Sequence, residues 1–183
     1  MLAMPFVGAL YKDSGRSGRA CSPIDIARDR LRELMGEALF ESEPALWEHT
    51  DYYRDELGAP LYRRFLFFKD FIPQDGLAEI KLKTIEIEKE LSEGGLTSPV
   101  AGKRTVNLDP GYITLAKVVL SSKKDYGHRI CIGKGVFAEV TLMYRRGRGF
   151  EPTAFTYTDY RSPENIRLFN RMRENFRKMI GAL

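Results

Sequence analysis

Cysteine, histidine and tryptophan are scarce in this sequence. Its 183 residues include two cysteines, two histidines and one tryptophan. Cys21 and Cys131 lack the paired spacing of a zinc site, and no histidines cluster beside them, so nothing in the sequence indicates zinc. Two thiols and no export signal favour a reducing compartment, and we expect the protein in the cytoplasm.

Long hydrophobic runs are also missing. No apolar stretch approaches the roughly 20 residues of a membrane-spanning helix. The apolar start MLAMPFVGALYKD has no basic leader and is interrupted by Pro5 and Lys12, which predicts a buried first strand rather than a signal peptide. We therefore expect no membrane partner.

Complete catalytic signatures are absent as well. The segment GRSGRACS lacks the closing Lys-Ser or Lys-Thr of a phosphate loop, and there is no Gly-x-Gly-x-x-Gly or Gly-x-Ser-x-Gly sequence. These absences argue against P-loop nucleotide hydrolases, dinucleotide-binding folds and hydrolases with a serine nucleophile elbow. Whether the chain is an enzyme stays open at this stage.

The chain is rich in both apolar and charged residues, at 43% and 30%, which is typical of a globular protein. We predict one domain over residues 1–183. The formal net charge is +4, and the segment Arg161–Leu183 carries six basic and two acidic residues. This segment is either a solvated amphipathic helix or a basic surface for nucleic acid or an acidic partner.

Three segments are predicted to be helices, because apolar residues recur on one face of each. One extends from a Ser22 cap to Gly36, one spans Asp75–Leu91, and one begins at a Ser162 cap and continues towards the C-terminal end. The last of these has a buried stripe made of Ile166, Phe169, Met172, Phe176 and Ile180.

Strands are predicted where short apolar or alternating runs are bounded by turn residues. The first four are Pro5–Tyr11, Ala38–Trp47 with a break at Pro44, Pro60–Ile72 and Thr105–Leu108. A hairpin follows, in which His128–Ile132 and Val136–Tyr144 flank the turn Gly133-Lys134-Gly135. With a three-residue turn, Arg129 lies opposite Glu139.

The residues after Asp109-Pro110 have two interpretations. An Asp cap followed by Pro at the first helical position predicts that a helix begins here. The β-branched residues of ITLAKVVL favour a strand instead. The helix is the prediction and the strand is the alternative.

The order of these elements predicts an α+β fold with a mostly antiparallel sheet. Its start is β-α-β-β-α, which is typical of a ferredoxin-like arrangement, and it is extended by the β-hairpin and the C-terminal helix.

Several segments together resemble a bacterial family known only as domain of unknown function 4416. They are FVGALY, TDYYRDELG, RRFLFFKDFI, LAEIKLKT, VNLDPGY, KVVLSSKK, HRICIGKGVFAEVTL and TYTDYRS, and they are spread over nearly the whole chain. The resemblance implies a single-domain bacterial protein and brings no established activity.

Polar residues able to do chemistry are concentrated in the stretch Lys103–Tyr144. His128 and Glu139 are the catalytic candidates, His128 as a general acid or base and Glu139 as a carboxylate for a cation or a water molecule. Arg129 and Glu139 could equally form a structural cross-strand pair. No metal site is predicted from a ligand cluster, although Glu139 is a candidate carboxylate for Mg²⁺.

Five residues are candidates for binding an anionic ligand. Arg129 and Arg161 carry guanidinium groups suited to phosphate or carboxylate, and Lys117 lies among apolar neighbours. Asn107 and Asp109 stand at the predicted helix entry, where an anion is attracted. Structural alternatives remain: a helix cap for Asp109, a solvated surface for Lys117 and an ion pair with Asp159 for Arg161.

Two functions from different classes follow. The first is a protein, with or without catalysis, that binds a phosphate-bearing ligand, either a nucleotide or RNA, near residues 107–139. The second is a non-catalytic interaction protein that uses its basic C-terminal helix. Convergence of His128, Arg129 and Glu139 with Asp109 around one pocket distinguishes the first from the second.

Overall fold

The structure, a computed structural model, describes residues 1–12, 22–48, 54–93 and 104–182; Cys21 lies outside these residues. The described chain forms strands β1 (Leu2–Lys12), β2 (Ala38–Glu41), β3 (Ala45–Leu46), β4 (Leu61–Phe68), β5 (Ile72–Pro73), β6 (Val106–Ile113), β7 (Lys117–Ser122), β8 (Ile130–Gly133), β9 (Val136–Arg145) and β10 (Gly149–Pro152). Its helices are α1 (Pro23–Met35), α2 (Arg54–Leu57), α3 (Leu77–Glu93) and α4 (Pro163–Ile180).

The strands form one antiparallel sheet in the order β10-β9-β7-β6-β1-β4-β2. The short strands β3, β5 and β8 pair with β4, β1 and β9 respectively. Helix α1 connects β1 to β2, and α3 precedes β6, so the part β6-β1-β4-β2 is compatible with the predicted ferredoxin-like start. The α+β class and the mostly antiparallel sheet are confirmed.

The sheet is covered on both faces, as the alternation of the central strand β1 shows. Val7 and Ala9 belong to a core layer with α1 and α3. Met4 and Phe6 point the other way, into a core layer with α4. Residues that alternate along a strand face opposite sides of the sheet, so one apolar strand serves both layers.

Helix α4 is an integral part of this core. Its apolar residues Phe169, Met172 and Phe176 are each at most 3% exposed, which confirms most of the predicted stripe. The helix begins at Ser162, whose hydroxyl accepts a hydrogen bond from the Asn165 amide. At α1, Ser22 is likewise the N-cap residue, as predicted, although its hydroxyl makes no capping hydrogen bond.

The predicted helix after Asp109-Pro110 is wrong. Strand β6 continues through both residues, with Gly8 opposite Asp109 and Val7 opposite Pro110, and β7 follows. The alternative holds because this segment is buried between two core layers, where extended β-branched residues pack well. Asp109 is therefore a strand residue and not a helix cap.

Strands β6 and β7 are paired over only part of their length. Gly111, Tyr112 and Ile113 pair with β7, and beyond Gly111 the pairing stops. Pro110 has no amide hydrogen with which to continue the ladder, and its carbonyl instead accepts a hydrogen bond from the Ser121 hydroxyl at 2.8 Å. The part of the two strands beyond Gly111, where no main-chain pairing is present, is the gap between β6 and β7.

Side chains of α3 occupy the edge of β6 that this gap exposes. The Leu108 amide donates to Glu88 Oε1 at 2.6 Å, and the Leu108 carbonyl accepts from Lys81 Nζ at 2.8 Å. Burial raises the pKa of Glu88, although Lys81 and the Leu108 amide oppose this effect.

Among the described helices, none combines the length and the apolar character needed to cross a membrane.

Candidate functional site

A cavity of about 110 Å³ lies beside the gap between β6 and β7. Its charged lining residues come from five parts of the chain and are Arg63, Asp109, Lys124, Arg129, Glu139 and Asp159. Three of these are basic and three acidic, so the formal charges of the lining balance. A cavity of this size has room for a few water molecules or one small polar group.

Arg63 reaches the cavity from β4. Strand alternation places it on the same face as Phe65 and Phe67, and its side chain is 7% exposed. Its Nε lies 3.1 Å from Asp159 Oδ2, and its Nη1 lies 3.4 Å from Asp109 Oδ2. A buried guanidinium needs such partners, because an unpaired buried charge is costly.

Gly8 gives Arg63 its space. A Cβ atom at this position would lie 3.0 Å from the Tyr160 hydroxyl and 3.1 Å from Arg63 Nη1. A side chain at position 8 would therefore press against the residues that line the cavity. The sequence FVGALY has glycine here because the strand passes directly beneath the polar groups.

Arg129 and Glu139 form the opposite wall. The Arg129 side chain is 1% exposed, and its Nε donates to Glu139 Oε2 at 2.8 Å, as the hairpin register predicts. Its remaining N–H groups donate to the Ser122 hydroxyl, the Lys124 carbonyl and the Tyr157 hydroxyl. Burial lowers the pKa of Arg129, but the bonds to Glu139 and Tyr157 more than offset this and leave the pKa raised.

Two buried polar atoms on cavity-lining residues have no hydrogen-bond partner among the described residues. They are Glu139 Oε1, on a side chain 4% exposed, and the hydroxyl of Tyr160, a residue 2% exposed. Burial holds the pKa of Tyr160 well above its ordinary value, so its hydroxyl stays protonated and able to donate. Buried polar atoms are normally bonded, and exceptions often mark functional sites.

The structure brings together three of the predicted site residues, Asp109, Arg129 and Glu139, at this cavity. Asn107 lies behind it: its amide donates to Asp109 Oδ2 at 2.7 Å, and its carbonyl oxygen accepts from Arg104 at 3.1 Å. Asn107 therefore orients a cavity carboxylate and is not itself part of the lining.

His128 and Lys117 line a second cavity, of about 440 Å³, on the opposite face of β7. His128 Nε2 lies 2.9 Å from Glu139 Oε2, and its ring stacks on Phe155 with centroids 4.4 Å apart. Glu139 lines both cavities. The contact of His128 with the first cavity is thus indirect, through Glu139, while Lys117 belongs to the second cavity alone.

Arg161 contributes to neither cavity. Its guanidinium donates to the carbonyls of Thr153 and Ala154, at 3.0 and 2.8 Å, and to that of Thr156 at 2.6 Å. With three carbonyls bound, Arg161 fixes the loop before α4. The contacts support neither the predicted pair with Asp159 nor a ligand in contact with Arg161.

Sequence patterns alone did not identify Arg63, Asp159 and Tyr160 as site residues. A signal for Arg63 existed, because strict alternation in LYRRFLFF places it with the buried Leu61, Phe65 and Phe67. Asp159 and Tyr160 immediately precede Arg161, but nothing local distinguishes which of the three points inwards. Their role depends on contacts with β4.

Glu139 makes the first cavity a candidate site for Mg²⁺. The described residues contain no group of three or more His, Cys, Asp or Glu side chains placed to hold a metal ion. Each of the three cavity carboxylates is in contact with an arginine side chain, Asp109 and Asp159 with Arg63, and Glu139 with Arg129. A role for Mg²⁺ stays a prediction.

Comparison with known proteins gives a family without an assigned activity. The family model described as domain of unknown function (DUF4416) matches residues 19–176, and the chain belongs to this family. No curated protein matches the chain. No solved structure matches it either.

Proposed function

We propose that this protein binds a small ligand through one polar group held in the first cavity, and that this group is a phosphate. The observation that carries the proposal is the pair of buried atoms, Glu139 Oε1 and the Tyr160 hydroxyl, that have no partner among the described residues although both residues line a cavity. A ligand that bonds to both removes the cost of about 1–3 kcal/mol that each unpaired buried group carries.

The guanidinium groups support a phosphate. Arg63 and Arg129 line opposite parts of the cavity, and both are held in place by carboxylates. Planar guanidinium groups match the geometry of phosphate oxygens. Because carboxylates also line the cavity, a phosphate monoester in its protonated, singly charged form is favoured over its dianion: its O–H can donate to Glu139 Oε1 while its other oxygens accept from Tyr160 and the arginines.

Size limits the kind of phosphate ligand. About 110 Å³ accommodates a phosphate group but not a nucleoside as well. A third cavity of about 220 Å³ adjoins the first, since Trp47, Arg63 and Asp159 line both. The remainder of a mononucleotide or sugar phosphate would extend along Trp47. An RNA strand needs a longer basic groove, so the enclosed shape favours a small molecule.

Calorimetric titration tests this proposal. Inorganic phosphate, mononucleotides and sugar phosphates are titrated at physiological salt into wild type, Tyr160→Phe and Glu139→Gln. We expect binding by the wild type and a loss of about tenfold in each variant, the effect of one hydrogen bond of about 1.4 kcal/mol. Tyr112→Phe is the matched control, because Tyr112 is a buried tyrosine of the second cavity. Absence of heat with every ligand, or equal affinity in all variants, overturns the proposal.

The alternative function, docking through the basic C-terminal helix, finds less support. Arg167 and Arg177 of α4 pair with Glu164 and Glu174 at 3.1 and 2.8 Å. The apolar side of the same helix is core, so deletion of Pro163–Leu183 removes part of the fold as well as the basic surface. We therefore expect a chain without this segment to lose its fold. Catalysis by His128 and Glu139 stays a prediction.

A further inference from the structure

The second cavity is bordered by apolar side chains that the fold leaves exposed. Ile130 and Phe155 are 75% and 60% exposed, and Val140 and Ile132 are 40% and 37% exposed. These four side chains line the same concavity on β8, β9 and the loop after β10. Monomeric proteins seldom expose several large apolar residues side by side unless the surface binds something.

The adjoining fold explains why this surface is open. Helix α3 covers the neighbouring part of the same face, where Leu77 packs with Tyr112 and Val119. Helix α3 meets the β8–β9 turn through an exposed ion pair of Glu79 with Lys134 at 3.3 Å, but it leaves the four apolar side chains named above uncovered. The apolar residues therefore continue the core layer of α3 beyond the end of its cover.

Polar groups at the same cavity indicate what chemistry it takes. The Lys117 ammonium has no ion pair or hydrogen bond with the described residues, and neither does the Tyr112 hydroxyl. Glu139 also lines this cavity, but its Oε2 is already bonded to Arg129 and His128, and its Oε1 is the acceptor that the proposed function gives to the phosphate. The cavity thus offers one uncommitted positive charge and one uncommitted hydroxyl beside an apolar wall.

We propose that the second cavity binds a free amphipathic carboxylate, with its apolar chain against Ile130, Val140 and Phe155 and its head group paired with Lys117. The cavity volume of about 440 Å³ lies within the range of small-molecule sites. A carboxylate completes the hydrogen bonds of Lys117 and Tyr112 together, which a purely apolar occupant cannot do. This site shares the lining residue Glu139 with the phosphate site, but a carboxylate can bind here whether or not a phosphate binds there.

The test uses decanoate as the probe and decanol as its uncharged analogue, both below their aggregation limits. Decanoate is titrated into the full chain by calorimetry and by displacement of a fluorescent anilinonaphthalene sulfonate. We expect saturable binding of decanoate, and binding about three- to tenfold weaker in Lys117→Gln. Decanol should bind more weakly than decanoate and be indifferent to this substitution.

Two variants separate the apolar contacts from general effects. Val140→Asp, at an exposed position, should abolish binding of both probes while circular dichroism and phosphate binding stay unchanged. Lys89→Gln removes an exposed charge on α3 and should bind decanoate like wild type. Equal affinity of wild type and Lys117→Gln for decanoate overturns the proposal, as does equal affinity for decanol and decanoate. Binding to phosphatidylglycerol vesicles without binding of free decanoate also overturns it, since a membrane surface would then be the partner.

Discussion

Arg129 and Glu139 face each other across the β8–β9 hairpin, with Arg129 Nε 2.8 Å from Glu139 Oε2. The side chains are 1% and 4% exposed. The pair uses one carboxylate oxygen and leaves the other, Oε1, without a partner among the described residues. One interaction thus both closes a wall of the first cavity and leaves an unused acceptor atom on a residue that lines it.

Removal of Arg129 alone should strongly destabilise the protein. Arg129→Met leaves the Glu139 charge buried with only His128 beside it, and we expect a loss of about 3–5 kcal/mol in the free energy of unfolding. The double variant Arg129→Met/Glu139→Leu has no buried charge at this position and should regain most of that loss. Urea denaturation measures both, and a double variant that is as unstable as the sum of the single variants contradicts this account.

Tyr160→Phe should separate stability from binding. The hydroxyl that it removes is buried and has no partner among the described residues, so the free protein should be unchanged or more stable by about 1 kcal/mol. Phosphate binding should weaken at the same time. Thermal denaturation with and without phosphate compares the two effects. A destabilised Tyr160→Phe variant with normal binding would show that the hydroxyl serves the fold instead.

The free energy of unfolding at alkaline pH should depend on the titration of Tyr160. Burial raises the pKa of Tyr160 well above 10.0, so the folded protein keeps a proton that the unfolded chain releases near pH 10. The stabilising effect of that proton is present below pH 10 and is lost as the pH rises towards the folded-state pKa. Tyr112 and Tyr157 have raised pKa values too and add to the slope. Above pH 10, the unfolding free energy of Tyr160→Phe should fall less steeply with pH than that of Tyr112→Phe.

Gly111→Ala should destabilise the sheet where β6 and β7 are still paired. A Cβ atom at this position would lie 2.4 Å from the Val119 carbonyl oxygen and 2.7 Å from Phe6 Cζ, and the backbone atom cannot easily move away. We expect a loss of about 3 kcal/mol or more. Gly76→Ala is the matched control, since its nearest neighbour is Pro73 Cδ at 4.0 Å. Equal urea midpoints for the two variants would contradict the close contact.

Gly8→Ala should act on the cavity more than on the fold. The new methyl group would lie 3.0–3.3 Å from the ends of Tyr160, Arg63 and Phe65, and two of these are polar groups that line the cavity. Small adjustments of these side chains can relieve the contact, but they narrow the space for a phosphate. We expect a modest loss of stability and a large loss of phosphate binding by calorimetry. Unchanged binding would place the ligand elsewhere.

Sequence patterns predicted the elements whose signals are local. Caps and apolar periodicity locate α1, α3 and α4, and the turn Gly133-Lys134-Gly135 fixes the register that joins Arg129 to Glu139. The segment at Asp109-Pro110 was predicted wrongly, because its cap-like sequence is a local signal while its pairing with β1 is a distant one.

The cavity itself depended on distant pairings. Arg63 reaches Asp109 and Asp159 only because β4 and β6 flank the same central strand and the loop before α4 folds back over them. Register between strands far apart in sequence cannot be deduced from spacing in a single chain. For this reason the local sequence indicates a helix cap at Asp109, which is a strand residue, and does not distinguish Arg63 from its neighbours in the strand.

The hydrogen bonds of Glu88 and Lys81 to the Leu108 main chain affect the rigidity of the sheet beside the first cavity. Because both hydrogen-bonding groups of the Leu108 main chain are occupied by side chains from α3, β6 has none free at this residue with which to extend its pairing with the neighbouring strand. The separation of β6 from β7 is therefore fixed by the main chain and by these side chains of α3, and a ligand does not have to break strand pairing in order to bind. Binding of a ligand should therefore leave the main chain almost unmoved. The selectivity of the first cavity should depend on its side chains alone.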